Sequence, residues 1–210
     1  MAAIELLKKS LSSIRCISCG LSCQLYPDSV LRVQYCNGSE FAVWPDNNHF
    51  VSIGVIGKLL SNSKNCLSRG FVFVDFSFPY LRLFSDSQWI EWLTHSGMYI
   101  VLLSDRSLAP LANYWLAHNK HIRGVIYADN EERVQKQTVH RLFTGRVANG
   151  KDGRSLNHTE FILLRRFMSG ADIQQVIESE NIDVKKIYAH KLRLENKLGH
   201  SIHKIIPNIL

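Results

Sequence analysis

Between positions 183 and 198 the chain carries Lys185, Lys186, Lys191, Arg193 and Lys197 against only two carboxylates, Asp183 and Glu195. Tyr188, Ala189 and Leu192 are interleaved with them. Cations at such short spacing can meet successive phosphates of a nucleic acid, and small or aromatic side chains among them can touch base edges. A solvated basic face would show the same charge, so the reading depends on what positions the stretch. Two other sets of residues carry chemistry. Cys16, Cys19 and Cys23 are spaced C-x-x-C-x-x-x-C, with Cys36 and Cys66 further on, and Asp75 and Ser104 each stand at the end of an apolar run.

The basic stretch must be held by the residues before it. From Leu156, the apolar residues Phe161, Leu163, Leu164, Phe167 and Met168 recur at helical spacing until Gly170 offers a left-handed stop. Asp172 can cap a second helix over residues 173–179, in which Ile173, Val176 and Ile177 share one face. After a tight turn at Asn181 and Ile182, Asp183 can cap a third helix whose apolar stripe is Ile187, Leu194 and Leu198. Two helices joined so closely predict a helix-turn-helix, whose second helix enters the major groove.

Taken together, these residues resemble the LuxR/FixJ-type DNA-binding domain. The resemblance is carried by Leu156, Glu160, Leu164, Gly170 and Val176-Ile177, then by Ile187, His190 and Lys197-Leu198-Gly199, and it covers about a quarter of the chain. It implies a DNA-binding set of Lys185, Lys186, Tyr188, Ala189, Lys191, Leu192 and Arg193. Tyr188, Ala189 and Leu192 should face base edges, and Lys185, Lys186 and Lys191 should lie nearer phosphates. His190 is either part of this surface or a half-buried structural residue. Two positions depart from the pattern: Leu192 stands where a polar or basic group is usual, and His158 where a Pro is expected. A fourth helix in the tail, with Ile202, Ile205, Ile206 and Ile209 on one face, is implied as a dimer contact that Pro207 shortens.

Upstream, the run Phe71-Val72-Phe73-Val74-Asp75-Phe76 predicts a strand buried on both faces. Residues 99–103 and 122–127 predict two more strands, and residues 89–93, 108–118 and 131–142 predict helices between and after them. That alternation predicts a parallel sheet built from right-handed crossovers. Between residues 21 and 60 the alternations Leu31-Val33-Tyr35 and Phe41-Val43 flank Asn37-Gly38 and predict a hairpin, while residues 56–60 predict a short helix.

An α/β unit followed by a LuxR-type domain resembles a response-regulator layout. Receiver chemistry needs acids for magnesium and a lysine after a late strand. Asp75 stands where the phosphate acceptor could be and Ser104 where a hydroxyl is expected, but Ala128 occupies the lysine's place and no acidic pair ends a first strand. The expectation is therefore a degenerate receiver, with Asp75 a strand-end acid that pairs locally. Residues 111–134 resemble the corresponding part of enterobacterial regulators of common-pilus and curli genes.

With 46% hydrophobic residues among 210, the chain can fill real cores. A net charge of +7 fits a polyanionic partner. No stretch reaches the roughly 18–20 apolar residues of a membrane span, and the first residues lack the order of a signal peptide, so a cytoplasmic protein is expected. Zinc fingers need a second ligand pair that the cysteines do not supply. Reduced, mostly buried thiols are expected, with no metal and no cofactor; a redox sensor is the lesser reading. An enzyme using Asp75, Ser104, His95 or His118 finds no nucleophile elbow or phosphate loop in support, and no catalytic residue is assigned.

The expected organisation is a receiver-like α/β regulatory and dimerisation domain over residues 1–144, a Gly-rich linker over 145–155, and an all-α helix-turn-helix domain over 156–210. The expected function is sequence-specific binding of double-stranded promoter DNA by a transcription regulator, an activator acting as a dimer and controlling surface structures such as fimbriae or capsule. The alternative is an auxiliary regulator acting mainly as the heterodimer partner of another LuxR-type protein.

Overall fold

The computed structural model describes residues 13–31, 35–36, 40–61, 63–147, 154–180 and 183–202. Four strands form a parallel sheet in the order β3 (Phe41–Trp44), β4 (Phe71–Phe76), β5 (Tyr99–Ser104), β6 (Ile122–Tyr127), outside which β1 (Ile14–Arg15) and β2 (Gln24–Tyr26) make a small antiparallel hairpin. Every residue of β3 and β4 is buried, as expected of strands covered on both faces. The period-two alternation divides them cleanly. Phe41, Val43, Phe71 and Phe73 face one layer, and Ala42, Trp44, Val72, Val74 and Phe76 face the other.

The first layer is built by α1 and α4. Helix α1 starts at His49–Gly54 and continues as a π-helical segment, Val55–Leu60; α4 is Glu132–Phe143. The opposite layer holds α2 (Gln88–Thr94) and α3 (Ala109–His118), preceded by a helical turn at Leu81–Phe84. Three C-terminal helices follow: α5 (His158–Met168), α6 (Ile173–Glu180) and α7 (Val184–Leu198). Their buried residues Leu164, Phe167, Val176, Ile187, Leu194 and Leu198 are continuous with the α2/α3 layer in one apolar cluster.

Three expectations are corrected. Phe41–Trp44 does not form a hairpin with the chain before it; it pairs in parallel with β4, Phe41 against Phe71 through Trp44 against Val74. Its other edge is taken by residues 16–18: Cys16 bridges Ala42 in antiparallel sense, Ile17 N–H donates to the Phe41 carbonyl at 2.7 Å, and Phe41 N–H donates to Ser18 Oγ at 3.0 Å. Burial on both faces outweighed the turn signal at Asn37-Gly38, which lies outside the described residues.

The crossovers also do not all share one hand. Each steps the same way across the sheet, yet α1 packs on the face opposite to α2 and α3. If the latter two have the usual right hand, the first is left-handed. In the flavodoxin-like order, the strand after the first helix lies outside the first strand. Here the N-terminal hairpin holds that edge, and the chain leaving α1 returns directly to β4. The helix over residues 56–60 is also longer than expected, beginning at His49 because Asn48 Oδ1 accepts the Val51 N–H at 3.3 Å and supplies the N-cap.

Candidate nucleic-acid interface

Each C-terminal helix is fixed at its start by a side chain. Asn157 Oδ1 accepts the Glu160 N–H at 2.8 Å while Glu160 Oε2 accepts the Asn157 N–H at 2.9 Å, a reciprocal capping box. Asp172 and Gln175 repeat the exchange before α6, at 2.8 and 3.0 Å. Asp183 Oδ1 accepts the N–H groups of Lys185 and Lys186 at 2.9 and 3.4 Å and starts α7. Gly170 and Gly199 end α5 and α7 at φ 91° and 72°, a backbone that side chains disfavour. The sequence marked Gly170 as a stop and both aspartates as caps, while Gly199 entered only through the family resemblance; Asn157 it missed, although Asn three residues before Glu is the capping-box signature.

The buried seam of α7 is Ile187, Leu194 and Leu198, all fully enclosed. At 100° per residue, the side facing away from this seam carries Lys185, Ala189, Leu192, Arg193 and Asn196, with Lys186 and Tyr188 on its flanks. All seven are exposed. Six of the seven expected DNA-binding residues thus share one open face, to which Asn196, not expected from the sequence, adds an amide.

Lys191 is placed differently. It lies near the seam, its side chain is only 15% exposed, and its ammonium pairs with Glu195 at 3.0 Å. Burial works to raise the Glu195 carboxyl, but the Ile202 N–H, the Lys191 ammonium and the Ser201 hydroxyl outweigh it and hold it below the ordinary glutamate range. Lys197 is also occupied, donating to Glu160 Oε2 at 2.7 Å and to the Ser155 carbonyl at 2.8 Å. Among the described residues, the cationic groups on this face without an ion-pair partner are Lys185, Lys186 and Arg193. His190 is half-buried, and its Nδ1 finds no hydrogen-bond partner among the described residues.

The face also has an apolar stripe: Val184, Tyr188 and Leu192, four residues apart, are 47, 54 and 59% exposed. Beside it a cleft of about 470 Å³ opens between α6 and α7, lined by Phe167, Ile173, Ile177, Val184, Tyr188 and Ile202. Of the expected apolar tail, Ile202 is buried; Ile205, Ile206 and Ile209 lie outside the described residues.

The receiver-like site is a hydrogen-bonded plug. Asp75 is 3% exposed and accepts from Asn48 Nδ2 at 2.8 Å. Burial pushes its carboxyl up, hydrogen bonds from Ser77 and Asn48 oppose this, and the nearby Asp105 adds to it. Ser104 turns its hydroxyl to the Asp105 carbonyl at 2.9 Å, and Tyr80 donates to Asn47 Oδ1 at 2.7 Å. Asn47 and Asn48 both lie in the loop after the first strand of the sheet. His95 and His118 each engage the carbonyl four residues back in their own helix, at 2.7 and 2.8 Å. Among the described residues no group of three or more His, Cys, Asp or Glu is placed to hold a metal ion.

Fold and face together define a receiver-like α/β unit carrying a capped three-helix unit with a cationic surface. Residues 15–143 match the family described as the EcpR N-terminal domain, and the chain belongs to that family. It is 38% identical over 193 residues, 92% of each chain, to the uncharacterized protein YqeH of Escherichia coli (strain K12). Among solved structures it is similar to the Salmonella typhimurium RcsB response regulator, at 15% identity over 77% of this chain and 94% of that one, with a TM-score of 0.36. A structure of two RcsB dimers bound to two parallel DNAs is 15% identical, covers 75% and 81%, and has a TM-score of 0.35. Response regulator ChrA of a heme-sensing two-component system is 17% identical, covers 66% and 73%, and has a TM-score of 0.25. Among the described residues, no helix is long and apolar enough to cross a membrane.

Proposed function

We propose that the chain is a DNA-binding transcription regulator of LuxR type, in which residues 156–210 bind promoter DNA and residues 1–144 serve self-association and regulation. The observation that carries this reading is the open face of α7, where Lys185, Lys186 and Arg193 surround Ala189 and Leu192 on a helix fixed at both ends by Asp183 and Gly199. Three cations on one rigid rod suit phosphates, and the small apolar groups between them suit a thymine methyl. The likeness of residues 111–134 to pilus and curli regulators supports control of surface structures such as fimbriae.

A second reading is favoured by the exposed stripe of Val184, Tyr188 and Leu192. Such a stripe suits a protein partner, so the chain would act chiefly as the heterodimer partner of a related regulator. Selection of genomic fragments by the whole chain, beside a Lys185→Glu/Lys186→Glu variant, separates the two. Enrichment of a few promoter fragments, lost in the variant, is expected for direct binding; no enrichment without a related regulator, and enrichment with one, supports the partner reading.

A further inference from the structure

The N-terminal hairpin carries a thiol pair that the DNA-binding reading leaves unused. Strands β1 and β2 align Ile14 with Tyr26 and Arg15 with Gln24. One step further, Cys16 N–H donates to the Cys23 carbonyl at 2.8 Å, so the two cysteines stand opposite each other. Ser22, at φ 46°, turns the chain so that Cys23 returns to this place. Opposite residues of an antiparallel pair have Cα atoms about 4.5–5.5 Å apart and side chains on one face, within the roughly 4.4–6.8 Å that a disulfide spans. Both side chains do share a face, for Cys16 belongs to the main apolar cluster and Cys23 packs against it.

Their surroundings divide the roles. Cys16 is 4% exposed, its sulfur against the Ser18 hydroxyl at 3.3 Å, whereas Cys23 is half-buried and open to a small oxidant. Cys36 lies near the same thiols, and burial, then Glu40, Cys16, Cys19 and Cys23, push its own thiol up. Cys66 lies elsewhere, beside the Phe143 carbonyl and the Lys64 carbonyl. We propose that Cys16 and Cys23 form a reversible disulfide when the protein meets a peroxide, a modification that would cross-link the two strands of the hairpin beside the outer edge of β3.

The chemistry balances in two steps. The Cys23 thiolate attacks one peroxide oxygen, the O–O bond breaks, and Cys23 becomes a sulfenic acid as the other oxygen leaves as water or its conjugate base. The Cys16 thiol then attacks the Cys23 sulfur; the S–S bond forms, the S–O bond breaks, and the departing hydroxide takes the thiol proton as a second water. Two electrons pass from the thiols to the peroxide, and a dithiol reverses the change.

The test uses the reduced full-length chain, treated with one equivalent of hydrogen peroxide, quenched by alkylation in denaturant and digested with trypsin. The fragment beginning at Cys16, which also contains Cys19 and Cys23, should lose two hydrogens in the wild type and in Cys19→Ser but not in Cys23→Ser, and dithiothreitol should restore it. A bridge that persists in Cys23→Ser, a fragment that stays fully alkylated in the wild type, or stoichiometric zinc released from these thiols on purification would each overturn the proposal. Because Cys16→Ser disturbs a buried site, Cys23→Ser carries the test, with unchanged far-ultraviolet circular dichroism as its folding control.

Discussion

Tyr114 of α3 lies flat on Phe161 of α5, their ring centroids 4.3 Å apart and their planes 15° from parallel. Trp115 meets the same ring edge-on at 5.1 Å, the Leu156 N–H donates to the Pro110 carbonyl at 3.0 Å, and Asn113 Nδ2 donates to the Arg154 carbonyl at 2.9 Å. The helix that starts the three-helix unit is thus seated on the receiver-like unit by rings and backbone together. At the rim, Arg165 pairs with Asp86 at 3.1 Å, but both are solvent-accessible, so that pair contributes little.

Phe161→Ala should therefore uncouple the two parts. Loss of a buried Phe costs about 3–5 kcal/mol, and a Tyr114→Ala/Phe161→Ala double-mutant cycle should return about 0.5–1.5 kcal/mol of ring–ring coupling. Thermal unfolding should change from one transition to two as the three-helix unit loosens. A single transition with unchanged midpoint would mean that the ring contact does not hold the parts together.

Lys185 and Lys186 should dominate the salt dependence of DNA binding. Each phosphate contact contributes about 0.9 to the slope of log K against log salt, so the double glutamate variant should flatten that slope by close to two such contributions. Lys191→Gln should change it less, because that ammonium is already paired with Glu195. Its effect should appear in stability at a particular pH. The Glu195 carboxyl is held below the ordinary range, so its contribution is present above the unfolded pKa and lost as pH falls through the lower folded value. Lys191→Gln should shrink the acid-side loss, as read from thermal midpoints across the pH range.

Lys197 offers a test of what locks α7 to α5. Its ammonium faces Glu160, which is 1% exposed, while Lys197 itself keeps 30% of its side chain accessible. Removing one partner of a buried pair costs roughly 3–5 kcal/mol, and water access to Lys197 places Lys197→Met toward the lower end. The Glu160→Gln/Lys197→Met variant should recover part of the loss, because Gln keeps the capping box. No recovery in chemical denaturation would assign the cost to lost packing of the lysine stem instead.

The elements that sequence made legible are those whose signals are local. Gly170, Asp172 and Asp183 end or begin helices where their own backbone and side-chain chemistry demands it, and the three apolar runs from Phe71 to Tyr127 became strands because nothing else buries such runs on both faces. What stayed hidden depends on distant partners. The place of Phe41–Trp44 in the sheet is set by β4, about thirty residues later, and by Cys16 and Ile17 before it. Lys191 looked like its basic neighbours, and only helical phase relative to Ile187 and the return of the chain at Ile202 turn it toward Glu195. The stacking of Tyr114 on Phe161 had no sequence signal, since each ring alone reads as ordinary core.

Asp75 brings the receiver resemblance to a measurable point. A phosphate acceptor needs an accessible carboxylate beside a cation and a lysine, but this carboxyl is enclosed, bonded to Asn48, and followed across the sheet by Ala128 in place of a lysine. Incubation with a small phosphodonor should leave the protein unlabelled, and labelling at Asp75 would overturn the degenerate-receiver assignment. Its upward shift has a definite sign: the folded protein favours the protonated acid, so stability is greatest below the unfolded pKa and falls as pH rises through the folded value. Asp75→Asn removes the charge while its side-chain oxygen can still accept from Asn48. The variant should therefore melt at a higher temperature than the wild type near neutral pH, and the difference should close as pH drops into the carboxylate range. A lower midpoint at neutral pH would show that ionised Asp75 holds the loops at this end of the sheet more strongly than its burial opposes them.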